Sequence, residues 1–273
     1  MQVKPSLHHS YKRDSKQYIS VPNLFTTMSL FCGFLAVSLV MSEKFVIAAW
    51  IIFMAGIFDA LDGRIARASG KVSDFGLQLD SLSDVVSSGL APSILVYEYY
   101  LKGIGGHPAV GLLLSFLPLL FSTIRLARYN VLALNEGHKP DYVGLPAPAA
   151  ATILASIVVL HSHIDSAILL RLLIVMTPLV SLAMVSHLHY EGIPRFSIKG
   201  RLVNSIKLFM MLIALICVFI WPELTYCTFM LTYFASGPTK FLMQLISGAE
   251  ESIDASGLDE SIVLEPPAEE PAV

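Results

Sequence analysis

The sequence predicts an all-α membrane protein, a polytopic helical bundle of about eight transmembrane helices. Three observations predict it. Of 273 residues, 55% are hydrophobic and only 14% are charged, where a soluble domain carries about 25%. Mean hydropathy is +0.67. Apolar runs recur from residue 24 to residue 246. Each bilayer crossing takes about 20 such residues. Nucleic acid is not expected as a partner; membrane lipids are.

Residues 1–20 are polar and basic, with Lys4, Lys12, Arg13 and Lys16. The apolar segment after them has no small-residue cleavage site and reads as a retained first span. Eight apolar segments follow, at 24–41, 45–61, 80–101, 109–129, 146–163, 166–187, 203–221 and 224–246. The loops after the odd-numbered spans carry only Lys44 and Lys102. The N-terminus and the loops after the second, fourth and sixth spans, with the end of the fourth span that carries Arg125 and Arg128, hold most of the remaining Lys and Arg, including Arg64, Arg67, Arg195 and Arg201. Positive residues stay on the cytoplasmic side. Both termini are therefore expected in the cytoplasm, with the protein in the inner (cytoplasmic) membrane. Arg171 is the exception, and near a helix end it can snorkel. The three cysteines, Cys32, Cys217 and Cys227, lie in apolar spans without metal spacing and read as packing residues.

The net charge of −3 conceals an asymmetry. From Ala249 to Val273 the chain has eight acids and no Lys or Arg, and the remainder carries +5. Residues 247–273 are read as an acidic, disordered cytoplasmic tail. The expected domains are thus 1–20, a membrane domain over 21–246, and the tail.

The second span ends in "IFDALDGRIARASGKVSDFGLQLDSLSD", Ile57 to Asp84. Asp59 and Asp62 are three apart and Asp80 and Asp84 four apart, so each pair shares one face of a helix. The residues between the pairs allow a turn, helped by Gly70 and Gly76, and antiparallel neighbours bring all four carboxylates together. Acids at mid-membrane cost about 2.5–3.5 kcal/mol each on insertion scales. A hard divalent cation, Mg²⁺ or Mn²⁺, relieves their repulsion. Four carboxylates can hold two ions about 3.5–4 Å apart, the arrangement of phosphoryl transfer. Gly63 leaves room for a ligand beside the backbone, and Arg67 matches phosphate oxygens. Together they point to a pyrophosphate, and at a bilayer surface to a lipid substrate.

This stretch resembles the signature of the CDP-alcohol phosphatidyltransferases, D-x2-D-G-x2-A-R-x8-G-x3-D-x3-D, at every fixed position: Asp59, Asp62, Gly63, Ala66, Arg67, Gly76, Asp80 and Asp84. The resemblance implies a six-helix membrane core, a site with two Mg²⁺ or Mn²⁺ ions, and transfer of a phosphatidyl group from CDP-diacylglycerol to an alcohol with release of CMP. It implies Asp59, Asp62, Asp80 and Asp84 as metal ligands and Asp84 also as general base. Gly63, Arg67 and Ser73 would contact the CDP moiety. "VPNLFT" resembles the family's entry to the first helix, with Asn23 and Thr26 in the cytidine pocket; Pro-Asn before a helix is also ordinary capping chemistry. "RLARYN", "YVGLPAPAAA", "GIPRFSIKG" and "SGP" resemble the integral-membrane, serine-using branch of the family and imply L-serine as acceptor. Arg125 and Arg128 can clamp the serine carboxylate, or serve as positive-inside anchors. The family also implies a homodimer.

Two rival readings remain at this level. One is the same chemistry with glycerol phosphate, inositol phosphate or choline as acceptor. The other is a cation-coupled transporter, which needs acids near the midplane and interrupted helices in both halves. The pairs His161/His163 and His187/His189 are two apart and do not share a helix face, which favours structural roles. Pro146 and Pro148 mark either a helix entry or a loop shaping the acceptor pocket.

Overall fold

The computed structural model describes residues 21–69, 74–102, 108–136, 144–186, 188, 190 and 221–262. The basic N-terminal segment, Ser73, "GIPRFSIKG" and most of the seventh expected span lie outside the described residues. Among the described residues every long element is a helix, as expected.

Helices α1 (Val21–Met41) and α2 (Phe45–Ser69) form a tight antiparallel hairpin. Its turn is closed by Lys44 N–H donating to Leu39 O at 2.9 Å, with Glu43 left-handed at φ 59°. So short a turn leaves α2 no course except back along α1. After α2 come α3 (Asp74–Asp84), one π-helical turn (Val85–Leu90) and α4 (Ala91–Tyr99), continuous along the chain. Gly76 lies inside α3 and not in the turn where the sequence reading placed it. Helix α5 (Pro108–Glu136) follows, then α6 (Ala147–His163), α7 (Ala167–Val185) and α8 (Pro222–Ile262).

Helix α6 is the centre of the bundle and packs on α2, α4, α7 and α8. Its 17 residues, at about 1.5 Å each, are buried almost without break from Ala150 to Leu160. Lipid tails are as apolar as leucine, so close packing of small residues, here Ala150, Ala151, Ala155 and Ser156, holds such a core. The outer faces stay apolar, with Phe31 and Phe34 on α1, Leu113 and Phe116 on α5, and Ile168 and Leu179 on α7 all exposed. That surface suits lipid contact. Four helices, Val21–Met41, Phe45–Ala68, Ala109–Val131 and Ala167–Val185, are long and apolar enough to cross a bilayer. This is an integral membrane protein. The expected count of eight is not reached among the described residues: the third expected span is cut by the π turn and starts with aspartates, and α6 is short.

Two expectations change. Helix α8 runs on to Ile262, so the tail expected to lack structure from 247 is helical for its first part. No proline interrupts the segment before Pro266, so the helix that enters from Pro222 is not stopped there. The entry "YVGLPAPAAA" also acquires a backbone reason. Gly144 has φ +85°, and a Cβ there would collide with the Met184 carbonyl oxygen. Its N–H donates to Leu188 O, and Leu145 N–H to Ala183 O, both at 2.9 Å, so this entry is stitched to the end of α7. Gly144→Ala is expected to destabilise the protein by at least about 2 kcal/mol, read as a lower Tm in mild detergent. An unchanged Tm would mean that this join is loose.

His161 plays the structural role expected of it. Its Nδ1 lies 2.7 Å from Tyr99 Oη, and Tyr99 packs edge-on against Phe45 with centroids 5.3 Å apart. Phe45 starts α2, about 26 Å along the axis from Asp62 at 1.5 Å per residue. The histidine cluster and the aspartates are at opposite ends of the bundle. His163 pairs separately with Glu223 at 3.3 Å.

Candidate active site

The α1–α2 hairpin delivers Asp59 and Asp62 on the last turns of α2, and α3 delivers Asp80 and Asp84 against them. One carboxylate oxygen from each of Asp59, Asp62 and Asp80 lies within 4.8 Å of the others. Asp84 is within hydrogen-bonding reach of Asp59 and close to the charges of Asp80 and Asp62. Asp62 and Asp84 are buried, at 4% and 7% exposure, while Asp59 and Asp80 are half-buried. All four predicted carboxylates are therefore in one place.

The start of α1 forms one wall. Asn23 and Thr26 are buried there. The Thr26 hydroxyl donates to Pro22 O at 3.2 Å and lies beside the Asp62 carboxylate, which also meets the Gly63 amide. Ser83 Oγ donates to Thr26 O at 3.1 Å, tying α3 to α1 between the two aspartates of α3 and the start of the chain's first helix. Arg67 is one turn beyond Gly63 on the same face, and its guanidinium nitrogens would be 3.5 and 3.9 Å from a Cβ at Gly63. Arg67 therefore lies against Gly63 and close enough to Asp62 to act on its charge.

The structure separates the two arginines that the sequence left together. Arg125 is half-buried and close enough to Asp59 and to Tyr233 of α8 to act on both. Arg128 is exposed. One pair was missed in the sequence. Asn130 Nδ2 donates to Ser81 Oγ at 2.9 Å, fixing α5 to the helix that bears Asp80 and Asp84. The only available signal was an amide within "RLARYN", and spacing alone could not assign it a partner 49 residues away.

The CDP-alcohol phosphatidyltransferase family model matches residues 19–185, more than half of the chain and all four aspartates. The chain belongs to this family. Among its relatives is the CDP-diacylglycerol–serine O-phosphatidyltransferase of Helicobacter pylori, 34% identical over 228 residues, 82% of this chain and 92% of that protein. The enzyme of the same name from Methanocaldococcus jannaschii is 32% identical over 180 residues, 66% of this chain and 77% of its own. The archaetidylserine synthase of Methanothermobacter thermautotrophicus is 31% identical over 180 residues, 64% of this chain and 71% of its own. The family match ends at the close of α7, while the Helicobacter pylori relative aligns over 82% of the chain.

The residues fit a divalent cation. Asp62 Oδ2 and Asp84 Oδ1 are buried oxygens with no hydrogen-bond partner among the described residues. A buried carboxylate oxygen without a donor costs several kcal/mol. Hard oxygen donors in such a cluster are the ligand set of Mg²⁺ or Mn²⁺.

Proposed function

We propose that this protein is a CDP-diacylglycerol–serine O-phosphatidyltransferase, making phosphatidylserine and CMP by metal-assisted direct attack. The observation that carries the chemistry is the gathering of Asp59, Asp62 and Asp80 within 4.8 Å, with Asp84 beside them. The support for serine is the activity for which relatives that align over most of the chain are named.

Asp59, Asp62, Asp80 and Asp84 would hold the cation. When bound, two such ions supply charge neutralisation at the pyrophosphate and at the departing CMP phosphate. Arg67, above Gly63, binds the same pyrophosphate oxygens through its planar fork. Asn23 and Thr26 close the side where the cytidine enters, and Ser73, outside the described residues, is assigned to the CDP moiety by the resemblance. Asp84 accepts the proton of the serine hydroxyl as its oxygen attacks the β-phosphorus. The new bond is serine O–P; the bond that breaks is P–O to CMP. No cysteine or histidine on the aspartate stretch offers a covalent route. A homodimer with the site and both termini on the cytoplasmic side of the inner membrane is part of the same proposal; bilayer cross-linking that yields a single-chain mass would count against the dimer.

The deciding experiment incubates purified protein with CDP-diacylglycerol, Mn²⁺ or Mg²⁺, and a panel of labelled alcohols. Serine incorporation is the expected result. Preference for glycerol phosphate, inositol phosphate or choline would keep the family and replace the acceptor; no transfer at all would leave the transporter reading.

Arg125 is half-buried close to Asp59, which supports reading it as the contact for the serine carboxylate, and the exposure of Arg128 supports reading it as an anchor. Loss of a charge-assisted bidentate contact is worth about 1.5–3 kcal/mol. Arg125→Ala is therefore expected to raise the KM for serine roughly 10-fold or more, and by a larger factor than the KM for CDP-diacylglycerol. Arg128→Ala should leave both nearly unchanged. Equal effects of Arg125→Ala on both substrates would return it to a purely structural role.

A further inference from the structure

The helix that carries Asp80 and Asp84 does not continue as an ordinary α-helix. Val85–Leu90 makes a π turn, and the Ala91 N–H donates five residues back, to Val86 O. A π turn holds one more residue than an α turn over the same rise. In an α-helix one residue is about 100° of rotation and 1.5 Å of rise. The turn therefore sets the angle between the aspartate face before it and the packing face after it.

Both sides of the turn are pinned. Within it, a Cβ on Gly33 of α1 would meet the Ser87 Cα at 2.7 Å, so these two backbones are in close contact. Ser29 Oγ donates to Ala55 O at 3.1 Å and lies 3.4 Å from Ser87 Oγ, linking α1, α2 and the turn. A Cβ on Gly89 would lie 2.5 Å from Ser122 Oγ of α5. Just after it, Ser93 Oγ accepts from Leu119 N–H at 3.1 Å, where Pro118 interrupts α5. Upstream, Ser83 is held to Thr26 O and Ser81 to Asn130. An uninterrupted α-helix could satisfy one set of these contacts but would be rotated by about 100° for the other.

We propose that the Val85–Leu90 π turn is a positioning element for the reaction: its extra residue rotates Asp80 and Asp84 onto Asp59 and Asp62 while Ser87, Gly89 and Ser93 stay locked on α1 and α5. This rests on the metal-site reading for its functional consequence, but the rotation itself can be measured without a metal. Deleting Val86, a half-buried residue of the turn, removes the extra residue; Val86→Ala keeps it. Two readouts apply to the full-length protein in detergent. The first is Mn²⁺ binding. The second is disulfide formation in a Ser81→Cys/Asn130→Cys background, where the side chains replaced are 2.9 Å apart.

Val86→Ala is expected to bind Mn²⁺ as wild type does and to cross-link. The Val86 deletion is expected to lose at least tenfold in Mn²⁺ affinity and to lose the cross-link. A folded deletion protein that cross-links and binds Mn²⁺ like wild type overturns the proposal. Wild type that binds no Mn²⁺, with the cross-linking difference intact, overturns the metal reading and leaves the register role standing. Should the deletion not fold, Gly89→Ala and Gly89→Ala/Ser122→Ala decide. The added methyl pushes the turn off α5, so the single variant should bind Mn²⁺ several-fold more weakly, and removing the Ser122 hydroxyl should restore most of that loss. Wild-type Mn²⁺ affinity in Gly89→Ala, or no recovery in the double variant, overturns it.

Discussion

Asp84→Asn should bind CDP-diacylglycerol nearly as wild type does and lose turnover by at least about 10³-fold, in the upper part of the range for general-base removal. Asp84 ends α3, four residues past Asp80 and on the same face, while Gly63 and Arg67 belong to α2. Substrate contacts through Arg67, Asn23 and Thr26 are thus left in place. The amide keeps the shape of the buried side chain, at 7% exposure, and removes its capacity to take a proton at neutral pH. The serine hydroxyl then keeps its proton and is a poor nucleophile. A binding assay paired with single-turnover measurement separates the two effects. Normal turnover in the variant would remove Asp84 as base. Exchange of labelled CMP into CDP-diacylglycerol by wild type without serine would remove direct attack in favour of a phosphatidyl-enzyme.

Stripping divalent cations is expected to abolish activity, and added Mn²⁺ or Mg²⁺ to restore it. Two carboxylates 4 Å apart repel by about 4 kcal/mol at an effective dielectric constant of 20. Asp59, Asp62 and Asp80 bring oxygens within 4.8 Å, and Asp84 adds a fourth charge. Solvent does not relieve that repulsion at Asp62 and Asp84, which are buried. Asp59→Asn, Asp62→Asn and Asp80→Asn should each weaken Mn²⁺ binding and reduce turnover by at least about 10³-fold, as expected when Lewis-acid stabilisation of several kcal/mol is lost. Activity that persists in excess EDTA, or full activity in any of the three variants, would refute the metal reading.

The sequence by itself determined the membrane class, the all-helical class and the pairing of the four aspartates on helix faces. Hydropathy and a three- or four-residue spacing are local properties, and a helix turns both into a face without reference to anything distant. Asp59 with Asp62, and Asp80 with Asp84, were legible for that reason. So was the structural role of His161, whose spacing from His163 denies them a shared face. The helix beyond 247 was not legible, because acids interleaved with Ser and Gly read as unstructured, while no proline stops the helix that enters from Pro222. Gly76 was misplaced because a glycine signals a turn only on average.

Tertiary structure alone decided the rest. Arg125 and Arg128 are three residues apart with the same charge, and no local rule ranks them. Only the packing of α5 turns one toward Asp59 and leaves the other exposed. Asn130 finds Ser81 across 49 residues, a pairing no periodicity encodes. The backbone demand at Gly144 exists because Met184 is there to collide with. The π turn after Asp84 has no signature in "VVSSGL". It forms because α1 and α5 hold Ser87 and Gly89 in one orientation while the neighbours of Ser81 and Ser83 hold the aspartates in another, and a single extra residue is the cheapest way for one helix to satisfy both.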